Sequence, residues 1–151
     1  MIPLVVLDAG PLGIVTNPRE SKLARSCKGW LRGLLAPGTR VVVPEIADYE
    51  VRRELLRAGR LKGVARLDAL ADSIGYLPLD SNVMRLAAEI WADARRRGWP
   101  TADDKALDAD VILAAQANLA GRDGRRVVVA TTNAGHLSRF VVDARPWSAI
   151  H

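Results

Sequence analysis

Apolar and polar positions along the chain follow two rhythms. Short, β-branched runs recur at LVVLD (4–8), RVVVP (40–44), IGYLPL (74–79) and VVVATTN (127–133), and between them apolar residues return every three or four positions. The first rhythm suits strands and the second suits helices. Their alternation predicts an α/β domain with a mainly parallel sheet covered on both faces. LVVLD is almost continuously apolar, as a doubly covered strand must be, so it is expected at the sheet centre. Pro78 lacks the N–H that a central ladder needs and moves IGYLPL towards an edge.

The helical stretches run from about Arg19 to Leu35, stopped by APG at 36–38, and from Ile46 to Gly59, followed by KGVARLDALADS as the second arm of a helical hairpin. NVMRLAAEIWADARRR comes next, with Asp80 or Ser81 as its cap and Gly98 and Pro100 as its end. After TADDKALD, which reads as a polar loop, a helix is expected from about Ala109 to Leu119, and the apolar run FVVDARPW closes the pattern. The connections are short and no repeat, linker or low-complexity segment interrupts them, so residues 1–151 are expected to form a single domain.

Composition narrows the function classes. Cys27 is the single cysteine, which excludes an internal disulfide, and no Cys/His pairs stand at zinc-ligand spacing. The opening apolar run is interrupted by Asp8 and has no basic residues before it, so it reads as a strand of the mature fold and not as a leader. No apolar run approaches the roughly 18 residues of a membrane span, and a cytoplasmic location is expected. The net charge of +5 and the sequence pI near 10.0 favour polyanionic partners.

The candidate chemistry lies in the carboxylates. Asp8 ends the first strand and Asn133 ends the fourth, at the edge of a parallel sheet where ligand crevices form. Glu50 lies on the helix leaving the second strand, and Asp110 opens the helix leading to the fourth, so both reach the same edge. Asp104 and Asp108 fall near its rim. Several carboxylates cannot stay ionised side by side in a crevice unless a cation joins them. An oxygen-only ligand set favours Mg²⁺ or Mn²⁺ over zinc, and Mg²⁺ leaves room for a substrate phosphate. The implied chemistry is metal-assisted phosphodiester hydrolysis.

The order VVLDAG, VPEIADYEVRREL, LDADVILAAQA and VVVATTNAGHLSRF resembles the PIN domain family, the fold of the VapC-type toxins of toxin–antitoxin pairs, over nearly the whole chain. The resemblance implies a three-layer α/β/α sandwich around a parallel sheet and a Mg²⁺- or Mn²⁺-dependent endoribonuclease. It places Asp8, Glu50 and Asp110 on the family's first three acidic positions and Thr131 on its threonine. Asn133 stands where the fourth Asp belongs. An amide oxygen can ligate a cation but brings no charge and no base, which weakens the expected metal site. Relatives in the family tolerate variation at this position, and Asp104 or Asp108 is available to compensate. The resemblance further implies RNA as substrate, an antitoxin protein that plugs the crevice with a basic side chain, and a homodimer.

Each residue also has a structural reading. Asp8 can be a turn residue, Asp108 a helix N-cap, and Asp110 a first-turn carboxylate favoured by the helix dipole. Glu50 can pair with Arg53, and Glu54 with Arg57, on a solvated helix, Glu54 being structural or an outer neighbour of the site. Arg52, Arg53 and Arg57 belong to a basic concentration that would suit a phosphate backbone at the crevice rim, while Arg95, Arg96 and Arg97 suit a helix C-terminus. Trp30, Trp91, Trp99 and Trp147 are expected in core or dimer packing, Cys27 as a buried filler, and His136 as a crevice-loop residue without a catalytic task.

Other enzyme classes fail on spacing. A haloacid-dehalogenase-type phosphatase needs a second Asp two residues after the first, where this chain has Gly10. DAGPLG is not G-x-G-x-x-G, and no P-loop occurs. The remaining rival to the nuclease is a PIN-like module that binds RNA or protein with a metal site degraded at Asn133.

Overall fold

The structure, a computed structural model, describes residues 3–98, 104–141 and 143–151, with residues 104–106 described by their backbone alone. Trp99 and Asp103 lie outside the described residues. Five strands form one parallel sheet: β1 (Leu4–Leu7), β2 (Val41–Pro44), β3 (Gly75–Leu77), β4 (Val127–Thr131) and β5 (Ala144–Pro146), in the order β3-β2-β1-β4-β5. The continuously apolar β1 is central and β3, which precedes Pro78, is an edge, as the pattern predicts.

Successive side chains of a strand point to opposite faces, and the core divides accordingly. Val5, Leu7, Val41, Val43, Val128 and Ala130 pack on one side against Leu12, Cys27, Leu31, Val51, Leu55 and Leu67. These come from α1 (Ala9–Thr16), α2 (Lys22–Leu35), α3 (Glu45–Arg57) and α4 (Leu61–Ser73). Leu4, Val6, Val42 and Val129 face the other side, against Leu113, Ala114 and Ala117 of α6 (Asp104–Ala120) and Leu137 of α7 (Ala134–Leu137). Outside α6 lies α5 (Ser81–Arg97), joined to it through Val83, Ala87, Ala94, Leu107, Val111 and Ala115. The result is the expected α/β/α sandwich.

Local chemistry sets the ends. The Asp80 carboxylate accepts from the Val83 N–H at 2.8 Å and starts α5; Gly98, at φ 66°, ends it after three arginines. Buried Gln116 locks α6 to the sheet edge: its Nε2 donates to the Leu77 carbonyl at 2.7 Å, and its Oε1 accepts from the Ile46 N–H at 3.4 Å. That second bond satisfies a donor of the first turn of α3, which otherwise has no side-chain cap. Cys27 is fully buried and desolvation raises its thiol to about 11, leaving it an inert filler. Trp30 and Trp147 pack together at 5.5 Å between ring centres, and the Trp30 N–H donates to the Ile150 carbonyl.

Two expectations are corrected. AGPLGIVT forms α1, where the sequence pattern gave no helix; its Pro11 sits in the first turn, where a missing N–H costs nothing. TADDKALD is not a loop throughout: α6 already begins at Asp104, so Asp108 is inside the helix and does not cap it, and Asp110, nearly two turns in, neither opens the helix nor lies in its first turn.

Candidate active site at the carboxyl edge of the sheet

Asp8 follows β1 directly and is the N-cap of α1, its Oδ1 accepting from the Ala9 N–H at 2.7 Å. Its Oδ2 accepts from the Thr131 hydroxyl at 2.7 Å, at the end of the neighbouring strand β4. Thr131 is fully buried, and its Oγ1 also accepts from the Asn133 N–H at 3.0 Å. Asp8, Thr131 and the turn into α7 are thus one hydrogen-bonded corner. α1 approaches this corner so closely that a Cβ at Gly10 would lie 2.5 Å from the Thr132 Oγ1.

Glu50 reaches the same edge from α3 and Asp110 from α6, and the electrostatics register their convergence. Burial raises the Asp8 carboxyl above 3.8 despite the opposing Thr131 and Ala9 hydrogen bonds. Burial, then Asp8, lifts Asp110 to about 6. Burial, then Asp8, and more weakly Asp110, lift Glu50 to about 7, against the pull of the nearby Arg53 guanidinium. Glu50 and Asp110 therefore feel the Asp8 charge in a site where burial is the leading influence on all three carboxylates.

Asp110 has a further neighbour that the sequence pattern did not reveal. His136 of α7 brings Nε2 to 3.3 Å from Asp110 Oδ2. The only sequence signal was its position just past β4.

The other expected residues separate into two groups. Asn133 is exposed at the start of α7 and its side chain does not cap that helix. Glu54 and Arg57 pair at 2.9 Å and, with Glu50, Arg53, Arg60 and Asn17, line a groove of about 510 Å³ that leads away from the acidic site along α3. Arg53 stacks its guanidinium 5.0 Å above the Tyr49 ring. Arg52 does not line this groove: it lies 2.8 Å from Asp48 and 2.8 Å from Asp68, with the Tyr76 hydroxyl also donating to Asp48 at 2.9 Å. Asp108 is exposed on the side of α6 that meets Met84, Ala88 and Trp91 of α5. It is two residues from Asp110, roughly 200° around the helix, so the rim role expected for it is not where the fold puts it. Asp104 is in the first turn of α6, and its side chain is outside the described residues.

Among the described residues, no three His, Cys, Asp or Glu side chains stand together as a ready-made metal cage. The donor set is nevertheless of the kind a hard cation accepts: carboxylate oxygens, mutually repelling, partly desolvated. Mg²⁺ in particular is held through one or two carboxylates plus waters and phosphate, not by an all-protein cage. The residues fit such an ion.

An open parallel sheet with three acidic residues gathered at its carboxyl edge defines an α/β fold of the PIN type. The chain belongs to the PIN domain family, whose model matches residues 5–139. PIN domains are in general nucleases. Solved structures similar in fold include VapBC2 of Rickettsia felis bound to a DNA fragment from its promoter (TM-score 0.70, 12% identity, 95% of this chain and 98% of that one). FitAcB of Neisseria gonorrhoeae gives a TM-score of 0.69 at 21% identity, covering 96% of this chain and 99% of that one. DNA-bound VapBC of Salmonella typhimurium gives 0.68 at 17%, covering 97% and 99%. A comparison with curated proteins returned no match.

Proposed function

We propose that this protein is a Mg²⁺- or Mn²⁺-dependent endoribonuclease that hydrolyses RNA phosphodiester bonds, and that it is the toxin of a type II toxin–antitoxin pair. The observation that carries the reading is the convergence of Asp8, Glu50 and Asp110 at the carboxyl edge of a PIN-family sheet, all three raised by burial, Glu50 and Asp110 also by the Asp8 charge.

In this reading Asp8, Asp110 and Glu50 hold the cation, with the Asn133 amide oxygen as a neutral fourth donor. The bound cation supplies Lewis-acid polarisation of the phosphodiester and neutralises developing charge. Thr131 and the Ala9 N–H fix the Asp8 carboxylate. Glu50, held near Asp8 and Asp110 at the same edge, would stay ionised beside the bound cation. Arg53 and Arg57 border the groove where an RNA backbone would leave the site.

The partner readings rest on separate observations. A further solved structure of similar fold, VapBC-5 of Mycobacterium tuberculosis (TM-score 0.54, 18% identity), is a member of the VapBC family of toxin–antitoxin systems, which supports an antitoxin partner here. A homodimer is supported by the apolar side chains that α5 leaves exposed, Met84 at 45% and Trp91 at 38%. No described helix is long and apolar enough to cross a membrane. The cytoplasm is the location this reading assigns, and residues 1–151 are read as one PIN-like domain.

The rival reading, a module that binds RNA or protein without cutting, is favoured by the neutral Asn133. An RNA cleavage assay with Mg²⁺ or Mn²⁺ separates the two. Wild type is expected to cleave, Asp8→Ala to be inactive, and Asn133→Asp to cleave at least as fast as wild type. Equal activity in wild type and Asp8→Ala would sink the mechanism.

A further inference from the structure

The segment from the end of β4 to α7 touches two of the three carboxylates through two different side chains. Thr131 holds Asp8 by a 2.7 Å hydrogen bond, and His136 lies 3.3 Å from Asp110. We propose that His136 is a positioning residue for Asp110: its imidazole, with Nε2 3.3 Å from Oδ2, restrains the carboxylate's rotamer at the place where a cation would be held. The proposal rests on the reading of Asp110 as a metal ligand.

Three features support it. The His136 and Asp110 side chains are each 23% exposed, so their contact is partly shielded from water and is not a surface encounter. The next residue, Leu137, is 1% exposed in the core beneath the sheet, which anchors α7 and limits where the imidazole can go. The same segment presents a neutral Asn133 at its start, so its contribution at the Asp110 side is a donor one turn further on and not a fourth charge. A ligating carboxylate is commonly oriented by a hydrogen bond from outside the metal's own ligands, and losing such a partner typically weakens metal affinity or activity by about 10–100-fold.

The test uses the full-length protein and Mn²⁺, whose binding is followed by electron paramagnetic resonance, with RNA cleavage measured in parallel. His136→Ala is expected to weaken Mn²⁺ binding about 10–100-fold. His136→Gln, whose amide nitrogen can stand near the position of the imidazole Nε2, is expected to restore binding to within about 3-fold of wild type. In an Asp110→Asn background, His136→Ala is expected to cause no further loss, because its effect passes through that carboxylate. If His136→Ala does not fold, His136→Asn, too short to reach Oδ2, takes its place.

Wild-type affinity in His136→Ala, or a Gln variant no better than Ala, would overturn the proposal while leaving the metal site standing. So would ¹⁴N coupling from the imidazole in the Mn²⁺ spectrum, which would make His136 itself a ligand. Absence of both Mn²⁺ binding and RNA cleavage in wild type would instead overturn the site reading, and the positioning role with it.

Discussion

Helix α3 carries two acids two residues apart, Asp48 buried and Glu50 half-buried, and they have opposite company. Asp48 is 6% exposed and is met by Arg52 at 2.8 Å and the Tyr76 hydroxyl at 2.9 Å, with Asp68 sharing the arginine. Glu50, roughly 200° around the helix, faces Asp8 and Asp110 and is raised to about 7. A buried carboxylate given a cation by the chain itself ties α3 to β3 and α4. A set of carboxylates given mainly one another's charge is unfavourable as structure, and makes sense where a cation arrives from outside.

The largest effect should come from removing a member of the second set. Asp8→Asn keeps the shape and an acceptor for the Ala9 N–H but deletes the charge. RNA cleavage is expected to fall by at least about a thousandfold, the equivalent of ~4 kcal/mol of barrier, while the melting temperature in the absence of metal stays level or rises. A variant that cuts RNA normally, or one that unfolds, would erase the distinction between the two clusters.

Arg52→Ala should do the reverse. It strands Asp48 inside the α3–β3 contact, and because Arg52 itself is about one third exposed (32%) the penalty is less than for a fully buried pair. A loss of about 2–3 kcal/mol is expected, or roughly 5–10 °C in melting temperature for a chain of this size. Cleavage per folded molecule is expected to remain within about 3-fold of wild type, since Arg52 lies outside the groove. A selective loss of RNA binding in a fully folded Arg52→Ala protein would contradict that assignment.

The pH dependence of the metal-free protein should show the same contrast at a scale of a few degrees. Glu50 moves from an ordinary 4.5 to about 7 and Asp110 from 3.8 to about 6, so between those values the folded protein binds more protons than the unfolded chain. Stability from these groups is therefore greatest below about pH 4 and is lost as pH rises through about 6 to 7. With chelator present, wild type is expected to gain less stability than Glu50→Gln on going from pH 5.5 to 7.5. Saturating Mg²⁺ or Mn²⁺ should offset the loss by binding the ionised set. A wild type and Glu50→Gln with parallel pH profiles would refute the coupling.

Four strands could be read from the chain because doubly buried strands are continuously apolar and a proline marks an edge; β5, three residues long and largely exposed, carries no such pattern and is not legible as a strand. α1 escaped because AGPLGIVT has almost no polar face to give a helical period; Pro11, Leu12, Val15 and Thr16 are all buried. The start of α6 escaped for the opposite reason, since a first turn rich in Asp and Lys looks like a loop. At the site, Asp8 could be proposed because a strand end fixes which sheet edge a residue reaches, and Glu50 and Asp110 because they fall within the first two turns of helices beside that edge. The His136–Asp110 contact joins two helices distant in sequence, and Arg52 could be sorted from Arg53 only once α4 and β3 had been packed against α3.

The smallest effect is expected from Asp108, and it tests whether helical phase or mere proximity in sequence decides function. Asp108 and Asp110 repeat on α6 the division that Asp48 and Glu50 make on α3: two acids two residues apart, one of them facing the carboxyl edge. Asp108 is exposed beside Met84 and Trp91 of α5, with the helix between it and Asp8. Asp108→Asn is therefore expected to leave Mn²⁺ affinity and cleavage within about 2-fold of wild type and to alter stability by no more than ~0.5 kcal/mol, as surface substitutions usually do. Asp110→Asn should impair both binding and cleavage severely. If instead Asp108→Asn weakened the metal as much as Asp110→Asn, the α6 carboxylates would act as a diffuse negative field, and the separation of the two faces would carry no functional meaning.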